Sequence, residues 1–259
     1  MAPNLPGVYV RHSVEKDVAE FEGWEKVLGR YERVKREEGF GIAQVYGSIF
    51  LTGGRVGEVV TQRPEMFAFK VEVLELADGR RIARDVMEVS RMLLEKRYRK
   101  LSHYTERLGA DELPKNAMRR LYPSEPDEDG FYERKRFKTE RILETRKPFD
   151  IPFDEVPKGS RSMHEDLKAY LETMRGQPWL FPSSTRNTHI SRGFVWKKFK
   201  RFGIYPHYLR GQRASCLISY NGLSMEQMME WMSWEELRTA RHYGKMGKSK
   251  LLSVFKRFE

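Results

Sequence analysis

A single cysteine, Cys216, excludes both a disulfide framework and a thiolate metal site. The six histidines form no HxxxH pair, so the helical zinc signature is missing as well. No apolar run approaches the ~18 residues of a membrane-spanning helix, and the N-terminus has no secretory-signal pattern. Internal repeats and low-complexity tracts are absent. One stretch, "GKMGKS" at 244–249, looks like part of a phosphate-binding loop. The glycine needed five positions before Gly247 is His242, so that loop is excluded. These absences predict a soluble, cytoplasmic protein with no membrane partner.

What the chain does have is charge. Among 259 residues, 48 Lys and Arg face 37 Asp and Glu, a net charge of +11. Both signs are densely mixed, as in the surface ion-pair networks of heat-tolerant proteins. The excess is bunched in "YERKRFK" and "WKKFKRF", which favours a polyanionic partner. A membrane-surface role for "WKKFKRF" is a less economical reading than contact with a nucleic-acid backbone.

Periodicity predicts mainly helix. In "EGWEKVLGRYERVKREEG" Trp24, Val27, Leu28 and Tyr31 share one face. "IAQVYGSIFLTGGRVGEVV" reads as a buried helix, a Thr-Gly-Gly turn and a second helix starting near Gly54. "FAFKVEVLELADGRRIARDVMEV" alternates around Ala-Asp-Gly, the mark of a β-hairpin. Residues 88–120 ("MLLEKRYRKLSHYTERL") are expected to return to helix, and "YPSEPDEDG" to be an exposed loop. "YERKRFKTERILETRKPFDIPF" is strand-like, and the remainder is helical from "HEDLKAYLETMRG" through "WEELRTARHYG". The expected class is therefore α+β, mainly α, with one small antiparallel sheet split by a helical excursion.

Three separated segments carry candidate chemistry. Arg55 and Glu58 in "LTGGRVGEVV" share a helix face at i, i+3, as do His207 and Arg210 in "PHYLRGQRAS". In "MSWEELRTARHY", Trp234 stands nine positions before Tyr243. Each alone is commonplace: a surface ion pair, a capping histidine, a structural tyrosine. Together they fit metal-free attack on a phosphodiester. Tyrosine, with an ordinary pKa near ~10, needs its phenolate stabilised, and so does the charge growing on the phosphate oxygens. Two arginines, always charged and bidentate toward phosphate, suit that task. A Lys or His must then protonate the leaving 5′-oxygen.

The ordered set resembles the catalytic domain of the tyrosine recombinases, the family of phage integrases, Xer and Cre. "LTGGRVGEVV" resembles that family's "TGxRxxEL" box, "HYLRGQRAS" its "HxLRH" box, and "MSWEELRTARHY" its "LGHxxxxxTxxxY" box. The nine-residue interval matches the family's His-to-Tyr spacing, with Trp in place of His as in the Cre-type branch. "YNG" with "LSMEQMMEWM" resembles the linker between the last two boxes. Departures are Gly211, where the family often has His, and a short segment before Arg55 that resembles the first catalytic-domain helices. The resemblance thus implies a single catalytic domain over 1–259, an insertion around 88–130 and a C-terminal tail at 244–259. It also implies that the N-terminal core-binding domain is absent.

The roles implied are as follows. Tyr243 is the nucleophile, Arg55 and Arg210 hold the phosphate, His207 assists proton transfer, and Trp234 packs on the phosphate or donates to it. Glu58 orients the arginines or His207. The general acid is Lys138 or Lys147, with Lys138 preferred. Lys135, Arg136, Lys197 and Lys198 are expected to contact DNA. The implied activity is site-specific cleavage and rejoining of double-stranded DNA in integration or excision, with no catalytic metal and no cofactor. The protein would act as a homotetramer on synapsed DNA and be monomeric when free. Two alternatives stay open: a type IB topoisomerase-like relaxing enzyme, and a basic DNA-binding protein without catalysis.

Overall fold

Helix α1 (Trp24–Glu38) forms because Trp24, Val27, Tyr31 and Val34 recur at helical spacing and are all buried. Lys35 and Arg36 in its last turn complement the helix dipole, and Gly39 at φ 90° ends it. The next helix, α2 (Phe40–Thr52), is buried from Ala43 through Thr52, as expected of an element apolar nearly all round. It is the axis of the core, packing on α1, α4 (Ser162–Thr173) and α6 (Pro206–Ser219). Several polar side chains on and against this axis are paired internally, whereas Gln44 Oε1 and Ser48 Oγ are buried without a hydrogen-bond partner. Gln44 donates to Tyr31 Oη at 2.8 Å, Tyr31 donates to Asp166 at 2.7 Å, and Tyr46 donates to the Val27 carbonyl at 3.0 Å. Each fully buried Leu, Ile or Phe here contributes about 1.5–3 kcal/mol by leaving water.

This computed structural model describes residues 21–75, 78–94, 98–109, 126–141, 144–156, 161–235 and 239–240. Among them are seven α-helices and five strands, an α+β fold with a small antiparallel sheet. No helix among the described residues is long and apolar enough to cross a membrane. After the short helix α3 (Val56–Val60) the chain enters β1 (Phe67–Glu75) and returns in β2 (Arg81–Val89), paired from Phe67↔Val89 to Glu75↔Arg81. The third strand, β5 (Phe149–Pro152), pairs antiparallel with β2 from Val86↔Pro152 to Val89↔Phe149. The sheet order is β1-β2-β5, with Met87, Val89, Phe149 and Ile151 reaching the core.

The excursion between β2 and β5 overturns one expectation. Residues 98–108 form a strand, β3 (Tyr98–Leu108), not a helix. It pairs antiparallel with β4 (Tyr132–Arg141), from Leu108↔Tyr132 to Tyr98↔Arg141, with a bulge between Lys100 and Ser102. The leucines and tyrosines of this stretch recur at helix-like intervals, but its Tyr, His and Thr residues also suit a strand. The deciding partner lies more than twenty positions downstream, beyond the reach of any local pattern. The chain divides into two compact units, Leu94–Glu144 and the remainder. In the former, Asp127 Oδ1 accepts from the Phe131 and Asp129 backbone amides, and Arg107 bridges Asp127 and Glu133 at 2.7 and 2.8 Å.

The later helices follow their sequence signals. Ser191 caps α5 (Arg192–Lys200) by accepting from the Phe194 amide, and Pro206 occupies the first turn of α6. Ser224 and Gln227 close a capping box on α7 (Met225–Met232). Met228 and Met232 pack with Ala214 and Leu217 of α6 and with Ala240 in a second small core, where Trp234 is partly buried.

Candidate active site

The C-terminal end of α2 is where the three sequence motifs meet. Gly53 takes a left-handed conformation (φ 58°, ψ 19°), reversing the chain so that Arg55 stands at the start of α3. Crowding also demands glycine here. A Cβ on Gly53 would lie 2.7 Å from Met232 Sδ, and one on Gly54 would lie 2.9 Å from Val59 Cγ2. Gly53→Ala is therefore expected to destabilise the fold by about 1–3 kcal/mol, read as a lower urea midpoint with an unchanged slope. An unchanged midpoint would contradict the close approach of α7.

Glu58 organises the site. Its side chain is inaccessible to solvent. Its Oε2 accepts from the Arg55 backbone amide at 2.8 Å, and its Oε1 accepts from Arg55 Nη1 at 2.7 Å. From α6, Arg210 Nη1 stands 3.8 Å from Glu58 Oε2 and also donates to the Gly53 carbonyl. Burial by itself would raise the Glu58 carboxyl. The charge of Arg210 and the two hydrogen bonds from Arg55 outweigh it and hold the group below its ordinary value. The consequence is a fixed pair of guanidiniums. Arg210 is buried, whereas the Arg55 side chain keeps about a third of its surface open to solvent.

Trp234 follows α7 and lies with its ring centroid 5.6 Å from the Arg210 guanidinium carbon. Its backbone amide donates to the Met229 carbonyl at 2.8 Å. Ala240 is buried against α6, which ties the chain down three positions before Tyr243. Tyr243 itself lies outside the described residues.

The other predicted residues are distributed as follows. His207 is exposed in the first turn of α6. Lys147, just before β5, is exposed and ion-paired with Glu230 at 3.2 Å. Lys138 is exposed on β4, opposite Ser102, in the Leu94–Glu144 unit. Lys135 and Arg136 occupy β4 opposite Thr105 and Tyr104; their side chains lie outside the description. Lys197 is exposed on α5. Lys198 is committed internally, paired with the buried Glu38 at the end of α1, a carboxylate that Arg201 shares.

Two buried arginines escaped the sequence reading. Arg146 is almost wholly buried, close enough to Arg55, Glu58 and Arg210 to feel their charges. Arg213, one turn after Arg210, makes a bidentate pair with Glu155 at 2.8 and 2.9 Å, and Glu155 also meets His164 Nε2 at 3.0 Å. Burial works to raise Glu155, but Arg213 and His164 hold it below the usual carboxylate range. This buried triad fixes the rotation of α6, and so which way Arg210 faces. For Arg213 the available signal was its i, i+3 relation to Arg210. For Arg146 there was none, since "TRK" reads as a solvated basic run.

Chemically, the arrangement can hold a tetrahedral oxyanion between two arginines pre-oriented by one carboxylate. No group of acidic, histidine or cysteine residues suited to a metal ion occurs among the described residues. No family model, no curated protein and no solved structure matches this chain.

Proposed function

We propose that this protein cleaves and rejoins double-stranded DNA through a 3′-phosphotyrosyl intermediate, as a tyrosine-type site-specific recombinase. The reading is carried by one observation: Arg55 and Arg210, from two separate motifs, meet at Glu58, and Trp234 of the third motif lies against Arg210. Tyr243 Oη attacks the scissile phosphorus, the P–O5′ bond breaks, and the 5′-oxygen leaves with a proton. Arg55 and Arg210 neutralise the charge that develops on the non-bridging oxygens. Lys138 or Lys147 supplies the proton, with His207 assisting. Bond energy is retained in the phosphotyrosine, so the reverse attack by a 5′-hydroxyl reseals DNA without a nucleotide cofactor. Exchange between two duplexes calls for four protomers, hence a homotetramer on synapsed DNA.

The test uses nicked suicide duplexes with randomised flanks, from which the cleaved fragment diffuses away. An SDS-resistant protein–DNA adduct mapped by peptide mass to Tyr243 is the expected result, with sequence enrichment in the trapped pool. No adduct, or one at another residue, would refute the proposal. Relaxation of supercoiled plasmid lacking the enriched sequence would favour the topoisomerase-like alternative instead.

DNA affinity is expected to fall steeply with salt, because phosphate contacts release counterions. Lys197→Ala should reduce the slope of log K against log salt by about 1. Lys198→Ala should leave that slope unchanged, because its ammonium is already held by Glu38. Equal slopes for wild type and Lys197→Ala, measured by fluorescence anisotropy, would remove α5 from the DNA face.

A further inference from the structure

Arg146 lies in the short connection between the β2–β5 excursion and β5, and is 2 % exposed. Its Nη1 donates to the Thr52 carbonyl at 2.7 Å, and its Nη2 donates to the Trp231 carbonyl. Thr52 is the last residue of α2, and Trp231 is the penultimate residue of α7. Neither helix has a basic residue in its own last turn, so one guanidinium meets the partial negative charge of both C-termini. The next carbonyl along, that of Gly53, accepts from Arg210. Two adjacent peptide carbonyls thus hold two adjacent arginines apart. The plane of Arg146 is set by Phe149, 4.0 Å from its guanidinium carbon, and by Trp231, 5.2 Å away. Trp231 in turn is 4.9 Å from Arg213.

This is a costly place for a charge. Burial comes first, and repulsion from Arg210, Arg213 and Arg55 adds to it against the attraction of Glu58; together they pull Arg146 down to about 9. Its Nε is buried without a hydrogen-bond partner. A residue needed only to fill space here would be apolar. We propose that Arg146 is a positioning residue of the strand-transfer site, clamping the end of α7 to the end of α2. The clamp fixes Trp234 over Arg210 and fixes the start of the segment that delivers Tyr243. This role rests on the proposed function. It joins the loop that carries Arg55 to the segment that carries the nucleophile, two parts that sequence places far apart.

The experiment compares wild type, Arg146→Met and Arg146→Lys in single-turnover trapping with saturating suicide duplex, from pH 6 to about pH 9. Displacing the nucleophile's segment is expected to slow cleavage by Arg146→Met about 100-fold, with DNA affinity within about threefold of wild type. The lysine variant adds a readout that simple loss of packing would not move. A lysine among Arg55, Arg210 and Arg213, with Glu58 as the nearby carboxylate, has its pKa depressed by burial and like charge. Its clamp is present at low pH and is lost as pH rises through that lowered pKa. The ratio of Lys-variant to Met-variant rates should therefore start well above one near pH 6 and fall toward one. If the Met variant does not fold, the ratio of the Lys variant to wild type carries the same trend. Equal rates for the two variants at every pH, or a Met variant within threefold of wild type, would overturn the positioning role alone. A wild type that forms no adduct would overturn the proposed function, and this role with it.

Discussion

Tyr243→Phe is expected to abolish the trapped adduct, lowering its rate of formation by at least about 10⁴-fold, or roughly 5.5 kcal/mol of barrier. The substitution removes one oxygen and keeps the ring. Arg55 and Arg210 are both held by Glu58, and Trp234 lies against Arg210, contacts that the substitution leaves unaltered in kind. DNA affinity should remain within about threefold, because phosphate contacts by many cations dominate binding. Retained affinity with lost cleavage assigns the oxygen to chemistry. An adduct that persists in Tyr243→Phe would mean another nucleophile, and the motif order Arg55, Arg210, Trp234, Tyr243 would lose its meaning. A loss of affinity in parallel with cleavage would instead make Tyr243 a binding residue.

Glu58→Ala is expected to destabilise the fold by about 3–5 kcal/mol, the range for removing one partner of a buried ionic group. Arg210, itself buried, would lose a carboxylate 3.8 Å away, and the Arg55 amide would lose its acceptor. Arg146, which Glu58 attracts, would face Arg210 and Arg213 without that compensation. Glu58→Gln is the sharper test because it preserves shape. The sign of its pH dependence follows from the direction of the shift. The folded-state pKa of Glu58 lies below its unfolded value, so its stabilising contribution is complete above the unfolded pKa, near ~4.3. It is lost as pH falls through the depressed folded value. Urea denaturation across the acid range should give a shallower acid limb for Glu58→Gln than for wild type, with Glu155 among the carboxylates that supply the remainder. An identical acid limb, or a Gln variant more stable than wild type at neutral pH, would contradict the part assigned to this carboxylate.

Local patterns reached as far as local causes do. The apolar stripe Trp24, Val27, Tyr31, the Gly53–Gly54 reversal and the Ala-Asp-Gly hairpin are set by residues within a few positions of one another. Each is found where its spacing places it. Strand β3 departs from the helix its intervals predict, because its identity depends on the ladder with β4. In the site, Arg55 with Glu58 is an i, i+3 pair on one helix and was visible as such. That Arg210 reaches the same carboxylate follows only from the packing of α6 on α2.

The sequence by itself determined the excess of basic charge, the exclusion of a disulfide framework and a thiolate metal site, most of the helices and the order of the three motifs. These depend on composition and on short-range periodicity, which folding cannot alter. Tertiary structure decided which charges are spent and which remain available. Lys198 and Arg213 look like any other surface cations in sequence, yet one is bound to buried Glu38 and the other to buried Glu155. Arg146 is the clearest case, an ordinary basic residue until the ends of α2 and α7 close over it. The physical reason is that burial and carbonyl orientation belong to the packed assembly of helices, and no single segment encodes them.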